Sequence, residues 1–346
     1  MTRTTRSLLR ACVLVALAAL VVGAVAGCGS TASNTTSGGS TAATATPIAV
    51  KIGTLATEDS LPLWVAEKMG YFATEGIPKV EIVPFQSAQE RDVALASGAI
   101  DGFMGDIIAA ANLQASGKGV KIATVMLGAD QSQGRFGIVV PPRNDKGAMP
   151  QQGKSTLEGL AGVKVGTSSA TIQEYVLDGL MAEAGVPADQ VKVEEVKKVP
   201  VRFELLMANK IKAAALPEPF LTLAEQGGAQ LVGDDTKAKA NLSQTVLLFS
   251  DAFLAKPGGK ETVAGILKAW DIAVNDINKN PESYRALLVE KAKLPAPLAN
   301  SYKVNTYPTA APPTEAEVTA VLNWMKTKGY LKTDIAYTDL ILPQAK

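Results

Sequence analysis

At 346 residues the chain can bury a large core and exceeds the usual size of one domain, so two lobes are expected. Its 34 basic and 33 acidic residues balance to +1 with no basic run, which speaks against a nucleic-acid partner. There is no histidine, and the two cysteines, Cys12 and Cys28, both lie near the start, so the commonest general base and zinc ligand are missing and the body of the chain has no disulfide or Cys-ligated metal site. Such a composition points to a protein that binds and does no covalent chemistry, with no catalytic residue, cofactor or metal expected.

The chain opens with Arg3, Arg6 and Arg10, followed by an apolar run from Ala11 to about Ala26. Positive charge before a short apolar segment is a secretory signal, and the run is shorter than the ~20 residues of a spanning helix. It ends in Val25-Ala26-Gly27-Cys28, which resembles the bacterial lipobox, in which a cysteine after small residues is lipidated and becomes the new N-terminus. Residues 1–27 are therefore expected to be a lipoprotein signal peptide and Cys28 the lipid anchor, attached by several acyl chains. Gly29 to Thr46 consists of Gly, Ser, Thr, Ala and Asn, without charge. Residues 28–46 are expected to be a flexible tether with a reach of ~60 Å. Losing the leader leaves 31 basic against 33 acidic residues, a net −2.

The folded body starts near Pro47. Val50 to Thr54 reads as a strand, and a helix is expected from about Leu61, with Pro62 in its first turn and Asp59 or Ser60 as N-cap. Leu63, Ala66, Met69 and Phe72 mark its buried side, and Trp64 is read equally as an aromatic wall or as core. Val80 to Val83 is the next strand. Ser87 can cap a helix running through Arg91 to Ser97, which Gly98 stops. Ile100 to Met104 reads as a buried strand ending in Gly105-Asp106, and Lys121 to Leu127 as another. Gly137 to Val140 is expected to cross into the second lobe, before a loop rich in Pro, Gly and Lys.

Val163 to Thr167 then begins a second copy of the same unit. Ile52-Gly53-Thr54 matches Val165-Gly166-Thr167 at a spacing of 113, and Gly76-Ile77-Pro78 matches Gly185-Val186-Pro187 at 109. Val80 with Val191, Arg91 with Arg202, Leu95 with Leu206 and Ile100 with Ile211 all lie 111 apart. Several matches in one order at nearly one spacing indicate a repeat. Strands alternating with helices imply parallel sheets, whose ligands collect at the carboxyl ends of the strands. Two such lobes make a cleft. Thr167 to Thr171 precedes the helix Ile172 to Glu183, a position suited to an anionic group or to simple N-capping. Ala213 to Leu216 closes the unit before Pro217-Glu218-Pro219. Thr245 to Phe249 is the expected return strand. Lys260 to Asn278, Glu282 to Lys293 and Thr314 to Lys328 read as helices on the first lobe, with Trp270 and Trp324 as core. The expected division is 47–138 for the first part of lobe 1, 139–244 for lobe 2 and 245–346 for the rest of lobe 1, with hinges near Gly137–Val140 and Gln244–Leu248.

Polar residues at the strand ends form the candidate ligand-binding set: Asp59, Ser60, Ser87, Gln89, Asp106, Arg135, Ser168, Ser169, Thr171 and Glu218. Arg135 can bind an oxyanion bidentately or form a surface ion pair. Glu218, held between two prolines, suits an amine or an amidine-like ring edge, or caps a helix. Asp59 and Asp106 taken singly read as helix caps. Carboxylates are as available here as arginine, which favours an organic ligand with an amino group or polar heterocycle over a simple anion. Gly153-Lys154-Ser155 is no phosphate loop, because Gly147 is one residue too far upstream and no strand precedes it.

Several phrases in order carry a family resemblance over nearly all of the mature chain. They are Ala66-Glu67-Lys68-Met69-Gly70-Tyr71-Phe72 with Glu75-Gly76-Ile77; Phe85-Gln86-Ser87 with Ala94 to Asp101; Leu157 to Gly166; Leu216-Pro217-Glu218-Pro219; and Lys279-Asn280-Pro281-Glu282. The sequence resembles the extracytoplasmic solute-binding lipoproteins of ABC importers for nitrate, sulfonates, taurine and thiamine-pyrimidine precursors. That resemblance implies a type II periplasmic-binding-protein fold, with two α/β lobes joined by two crossover strands that close on a small-molecule solute. It also implies a monomer that delivers its solute to an ABC permease, lipid-anchored on the outer face of the cytoplasmic membrane. A sensing or adhesion lipoprotein would share the fold and leader. A pyrimidine-precursor enzyme is opposed by export and by the missing histidine.

Overall fold

The computed structural model describes residues 45–133, 135–142, 156–294 and 298–343. The expected signal peptide, Cys28, nearly all of the tether and the Gly153–Ser155 segment lie outside the described residues. Thr44–Lys346 forms one compact unit.

Its first sheet begins as read from the sequence. Strand β1 (Val50–Leu55) leads through one 3-10 turn, Glu58–Ser60, into α1 (Leu61–Met69) and α2 (Tyr71–Thr74). Pro62 sits in the first turn of α1, where its missing N–H costs nothing, and Gly70 at φ +78° ends it. Then come β2 (Val80–Phe85), α3 (Ala88–Ala96), β3 (Gly102–Asp106), α4 (Ile107–Ala115) and β4 (Val120–Leu127). Ser87 caps α3 by accepting from Glu90 N, as expected. Leu61 to Ala66 are all buried, because α1 packs against helices from the C-terminal part of the chain, but Met69 at its end is half exposed, contrary to expectation.

The chain crosses once to a second sheet, made of β5 (Phe136–Val140), β6 (Lys164–Thr167), β7 (Lys192–Glu195), β8 (Ala214–Pro217) and β9 (Gln230–Asp234). Its helices are α5 (Ile172–Glu183), α6 (Val199–Met207) and α7 (Phe220–Gln226). Strand β10 (Thr245–Ser250) then returns to the first sheet. It is followed by α8 (Asp251–Leu254), α9 (Gly259–Lys279), α10 (Arg285–Lys291), α11 (Leu298–Ser301), α12 (Glu315–Thr327) and α13 (Tyr337–Leu340).

The strand orders are β2-β1-β3-β10-β4 and β7-β6-β8-β5-β9. Each sheet is thus mixed, not parallel throughout: β10 runs antiparallel to β3 and β4, and β5 antiparallel to β8 and β9. The reason is the crossover. Strands β1, β3, β6 and β8 end at the cleft, so a strand arriving from the other lobe starts at the cleft and must run the opposite way. The expected first hinge moves accordingly. Gly137–Val140 are paired within the second sheet, and the crossings run between Leu127 and Phe136 and between Asp234 and Thr245. The two crossings are tied together by Asn241 Nδ2 to Gly128 O (2.7 Å), by Gln131 Nε2 to Asp235 O (2.9 Å) and by Phe136 N to Asp235 Oδ1 (2.8 Å). Gly128 is needed there: its φ is +85°, and a Cβ would lie 2.5 Å from Ser243 O.

The expected repeat is present. Helix α3 and helix α6 are related by a shift of 111 at both ends. Arg91 and Arg202, also 111 apart, are both buried, and each sends its Nη1 to a carbonyl of the neighbouring strand, Met104 O (2.8 Å) and Ala215 O (2.7 Å). Those carbonyls are themselves 111 apart. Each arginine lies over a strand glycine, Gly53 or Gly166, whose absent Cβ would meet Ile100 Cδ1 or Ile211 Cδ1 at 2.7 Å. Trp64 and Trp270 are core, whereas Trp324 is half-buried, packed edge-on against Tyr175 and donating to Asp178 Oδ2 (2.8 Å).

Candidate functional site

The carboxyl ends of β1 and β3 face that of β8, and the turns that follow them close a cavity of about 40 Å³. Four buried carboxylates line it: Glu58 and Asp59 after β1, Asp106 at the end of β3, and Glu218 after β8. Arg91, Arg135, Thr57, Gln173 and Thr245 add polar surface. The lobes meet here through Ile172 N, which donates to Asp106 Oδ2 (3.2 Å), and Glu58 N, which donates to Glu218 O (3.4 Å).

Each carboxylate has partners. Asp59 accepts from Thr57 Oγ1 (2.6 Å). Asp106 caps α4 through Ala109 N (2.7 Å) and, from the opposite lobe, also caps α5. The helix N-terminus read as a seat for an anionic group therefore already faces a carboxylate of the chain itself. Glu218 accepts from Thr222 N (3.1 Å) and Thr222 Oγ1 (2.9 Å). Glu58 accepts from Tyr302 Oη and from Asn305 Nδ2 (2.9 Å), and its backbone carbonyl accepts from Tyr307 Oη (2.8 Å). Burial raises the pKa of all four. Glu58 is pushed up to about 8 by burial first and by the charge of Glu218 second, so at neutral pH it is largely protonated.

Both arginines at the cavity are already engaged. Arg91 bonds Met104 O and pairs with Asp92 (2.8 Å), with its guanidinium 4.2 Å from the centre of the Phe103 ring. Arg135 pairs with Glu225 (2.8 Å), Glu218 (3.2 Å) and Asp234 (3.3 Å). Burial opposes its charge, and Glu225, Glu218 and Asp234 outweigh that, raising its pKa. It is the ion-pair alternative that the geometry displays, partly buried and not on the open surface.

Of the candidate set, Asp59, Asp106, Arg135, Thr171 and Glu218 line this cavity. Ser60 is fully buried and donates to Leu55 O (3.2 Å), and Ser87 is the cap of α3. Gln89, Ser168 and Ser169 lie on a separate groove with Lys197. Gln89 accepts from Lys197 Nζ (2.5 Å), and Ser169 bonds Glu195 Oε2 through both N (3.1 Å) and Oγ (2.7 Å). Sequence reading missed Glu58, although it directly precedes Asp59 at the end of a strand. It also missed Tyr302, Asn305 and Tyr307, which sit in an irregular segment that carries no periodic signal. Among the described residues no cluster suited to a metal ion occurs, and no helix is long and apolar enough to cross a membrane.

The fold is shared with solved solute-binding proteins. The ligand-binding component of an ABC-type import system from Staphylococcus aureus superposes with a TM-score of 0.69 at 18% identity, over 85% of this chain and 96% of that one. The periplasmic aliphatic sulphonate binding protein SsuA from Escherichia coli gives 0.68 at 20%, over 87% and 94%. The periplasmic nitrate-binding protein NrtA from Synechocystis PCC 6803 gives 0.66 at 18%, over 82% of each chain. Identities this low establish a common fold, the two-lobed periplasmic-binding-protein architecture. No curated protein sequence matches the chain significantly. The model of the NMT1-like family matches residues 43–290, most of the folded body, and the chain belongs to that family.

Proposed function

We propose that the chain is the extracytoplasmic solute-binding component of an ABC importer, tethered through Cys28, which closes its lobes on a small organic solute and hands it to a permease. The solute carries an amino group or a polar heterocycle. The observation that carries this reading is the cavity between the lobes: four buried carboxylates converge there, while both arginines are spent on partners within the chain. An incoming cation gives Glu58, whose carboxyl accepts from the neutral donors of Tyr302 and Asn305, a charge partner that offsets the cost of ionising it in a buried place. A bare anion meets no unengaged cation among the residues lining the cavity. A zwitterion such as taurine would place its ammonium, not its sulfonate, against the carboxylates. Proteins of the same fold include an ABC-type import component, a sulphonate-binding protein and a nitrate-binding protein, which supports the transport role.

The test is thermal unfolding of the protein against taurine, alkanesulfonates, nitrate, aminopyrimidines and aromatic acids. A ligand at about a hundred times its dissociation constant adds ~2.7 kcal/mol of stability. Amino-bearing compounds are expected to raise the midpoint. Tight binding of nitrate or sulfate with no response to any amino-bearing compound would overturn the reading of the head group. A neighbouring permease and ATPase in the operon separate transport from a sensing or adhesion role.

A further inference from the structure

A second chamber of about 360 Å³ adjoins the carboxylate cavity and shares Leu55 and Thr57 with it. The two differ in size and character. About 40 Å³ holds a few waters or one small head group, whereas 360 Å³ falls in the range of pockets that enclose an organic ring system. The walls of the larger chamber are apolar and come from both lobes: Phe85 from the end of β2, Phe203 from α6, Phe220 and Leu223 from α7, and Leu294 after α10. Phe203 and Phe220 are tilted against each other with ring centres 5.9 Å apart. Phe203, Phe85 and Leu223 are only half-buried, so they leave apolar surface uncovered inside the cleft. The charged residues are Glu204, Lys291 and Lys293. Glu204 and Lys293 are exposed, and Lys291 is paired with Glu67 at 3.2 Å. The chamber thus offers no buried unpaired charge to a ligand, only aromatic and aliphatic surface.

We propose that this chamber is a second subsite of the cleft, which takes an aromatic ring joined to the amino head that faces Glu58, Asp59 and Glu218. The solute class is then an arylalkylamine or a comparable ring-bearing amine, and a compact amine fills only half the site. This rests on the carboxylate cavity being the head-group site. Because the chamber walls come from both lobes, ring binding would also favour the closed arrangement.

Calorimetric titration of the full chain with three probes separates the two readings: 2-phenylethylamine, ethylamine and phenylacetate. Phenylethylamine is expected to bind roughly tenfold or more tighter than ethylamine, from burial of the ring. Phe203→Ala removes most of that advantage and leaves ethylamine unchanged. Phe203 is half-buried, so its truncation should be tolerated, and Phe203→Leu provides a milder variant that should lose part of the advantage. Equal affinities for the two amines, insensitive to Phe203, would overturn the subsite and leave the head-group reading standing. Binding of phenylacetate alone, weakened by Phe203→Ala, would keep the ring subsite and reject the amino head. No binding of any probe overturns both.

Discussion

Glu58 is the residue on which the site turns. Its carboxyl is enclosed with Tyr302 and Asn305 and lies near Glu218, and burial first, then Glu218, pushes its pKa up to about 8. In an unfolded chain it titrates near 4.5. Between these values the folded state holds a proton that the unfolded state has released, so stability from this group is full below about 4.5 and is lost as pH rises towards 8. Glu58→Gln keeps a neutral hydrogen-bonding side chain. It is expected to flatten that decline, so that the gap in unfolding midpoint between variant and wild type widens from pH 5 to pH 8. A constant gap over that range would mean that Glu58 is ionised in the folded protein. On the proposed reading, binding of a permanently charged organic cation is expected to tighten as pH rises to about 8, because binding must expel the proton. None of this was legible from the residue itself. Asp59 stood out as a polar residue after a strand, but the partners of Glu58 lie some 245 positions away.

At the scale of elements, the repeat was the most legible feature, because its markers have physical roles. Arg91 and Arg202 recur because each closes its helix onto a strand carbonyl in a buried place where the carbonyl would otherwise lose a partner. Arg202 also holds Val196 O with Nε (3.0 Å) and Nη2 (2.7 Å). Burial lowers its pKa to about 9, with Glu195 opposing, so it stays charged at neutral pH. Lysine lacks the planar fork with which Arg202 reaches two carbonyls and Arg91 reaches the Met104 carbonyl and the Asp92 carboxylate. Arg202→Lys and Arg91→Lys are each expected to cost on the order of 2–3 kcal/mol in denaturant unfolding. The costs should add in the double variant, since the sites share no partner. A change below about 0.5 kcal/mol for either would remove these arginines from the framework of the lobes. The helices were placed well where a cap or a period marked them: Ile172–Glu183 matches as read, and Thr314 caps α12 with a capping box. The mixed sheets were not foreseen, because strand direction depends on which lobe the chain has just left.

For the whole molecule, the lobes are held across the cleft mouth by exposed contacts. Lys198 Nζ meets Glu90 Oε1 (3.1 Å) and Gln86 Oε1 (3.2 Å), and Lys197 meets Gln89. At the far side, Lys328 and Trp324, in and just after α12, reach Asp178 on α5 at 3.0 and 2.8 Å. The Lys198–Glu90 pair at the mouth is solvent-exposed and so worth at most about 1 kcal/mol. Lys198→Glu places like charges across the mouth. It is expected to weaken binding of the best solute by roughly three- to tenfold at low salt, to lose most of that effect at high salt, and to leave the unfolding midpoint unchanged. Equal affinity at low salt would show that these contacts do not contribute to closure.

The chain's own order determined the α/β alternation, the doubled unit with its 111-residue shift, the return strand and the polar residues at strand ends, because period, caps and spacing are local properties that survive without a fold. Only the tertiary structure decided which of those polar residues meet. Glu58 and Glu218 are 160 positions apart, and Arg135 is claimed by Glu218, Glu225 and Asp234 before any solute arrives. Such encounters are set by how two sheets and the C-terminal segment pack, and burial then changes the charge that each group can carry. A carboxylate in the sequence is a charge in water; in the cleft, burial raises the pKa of Glu58 to about 8 and leaves it largely protonated at neutral pH.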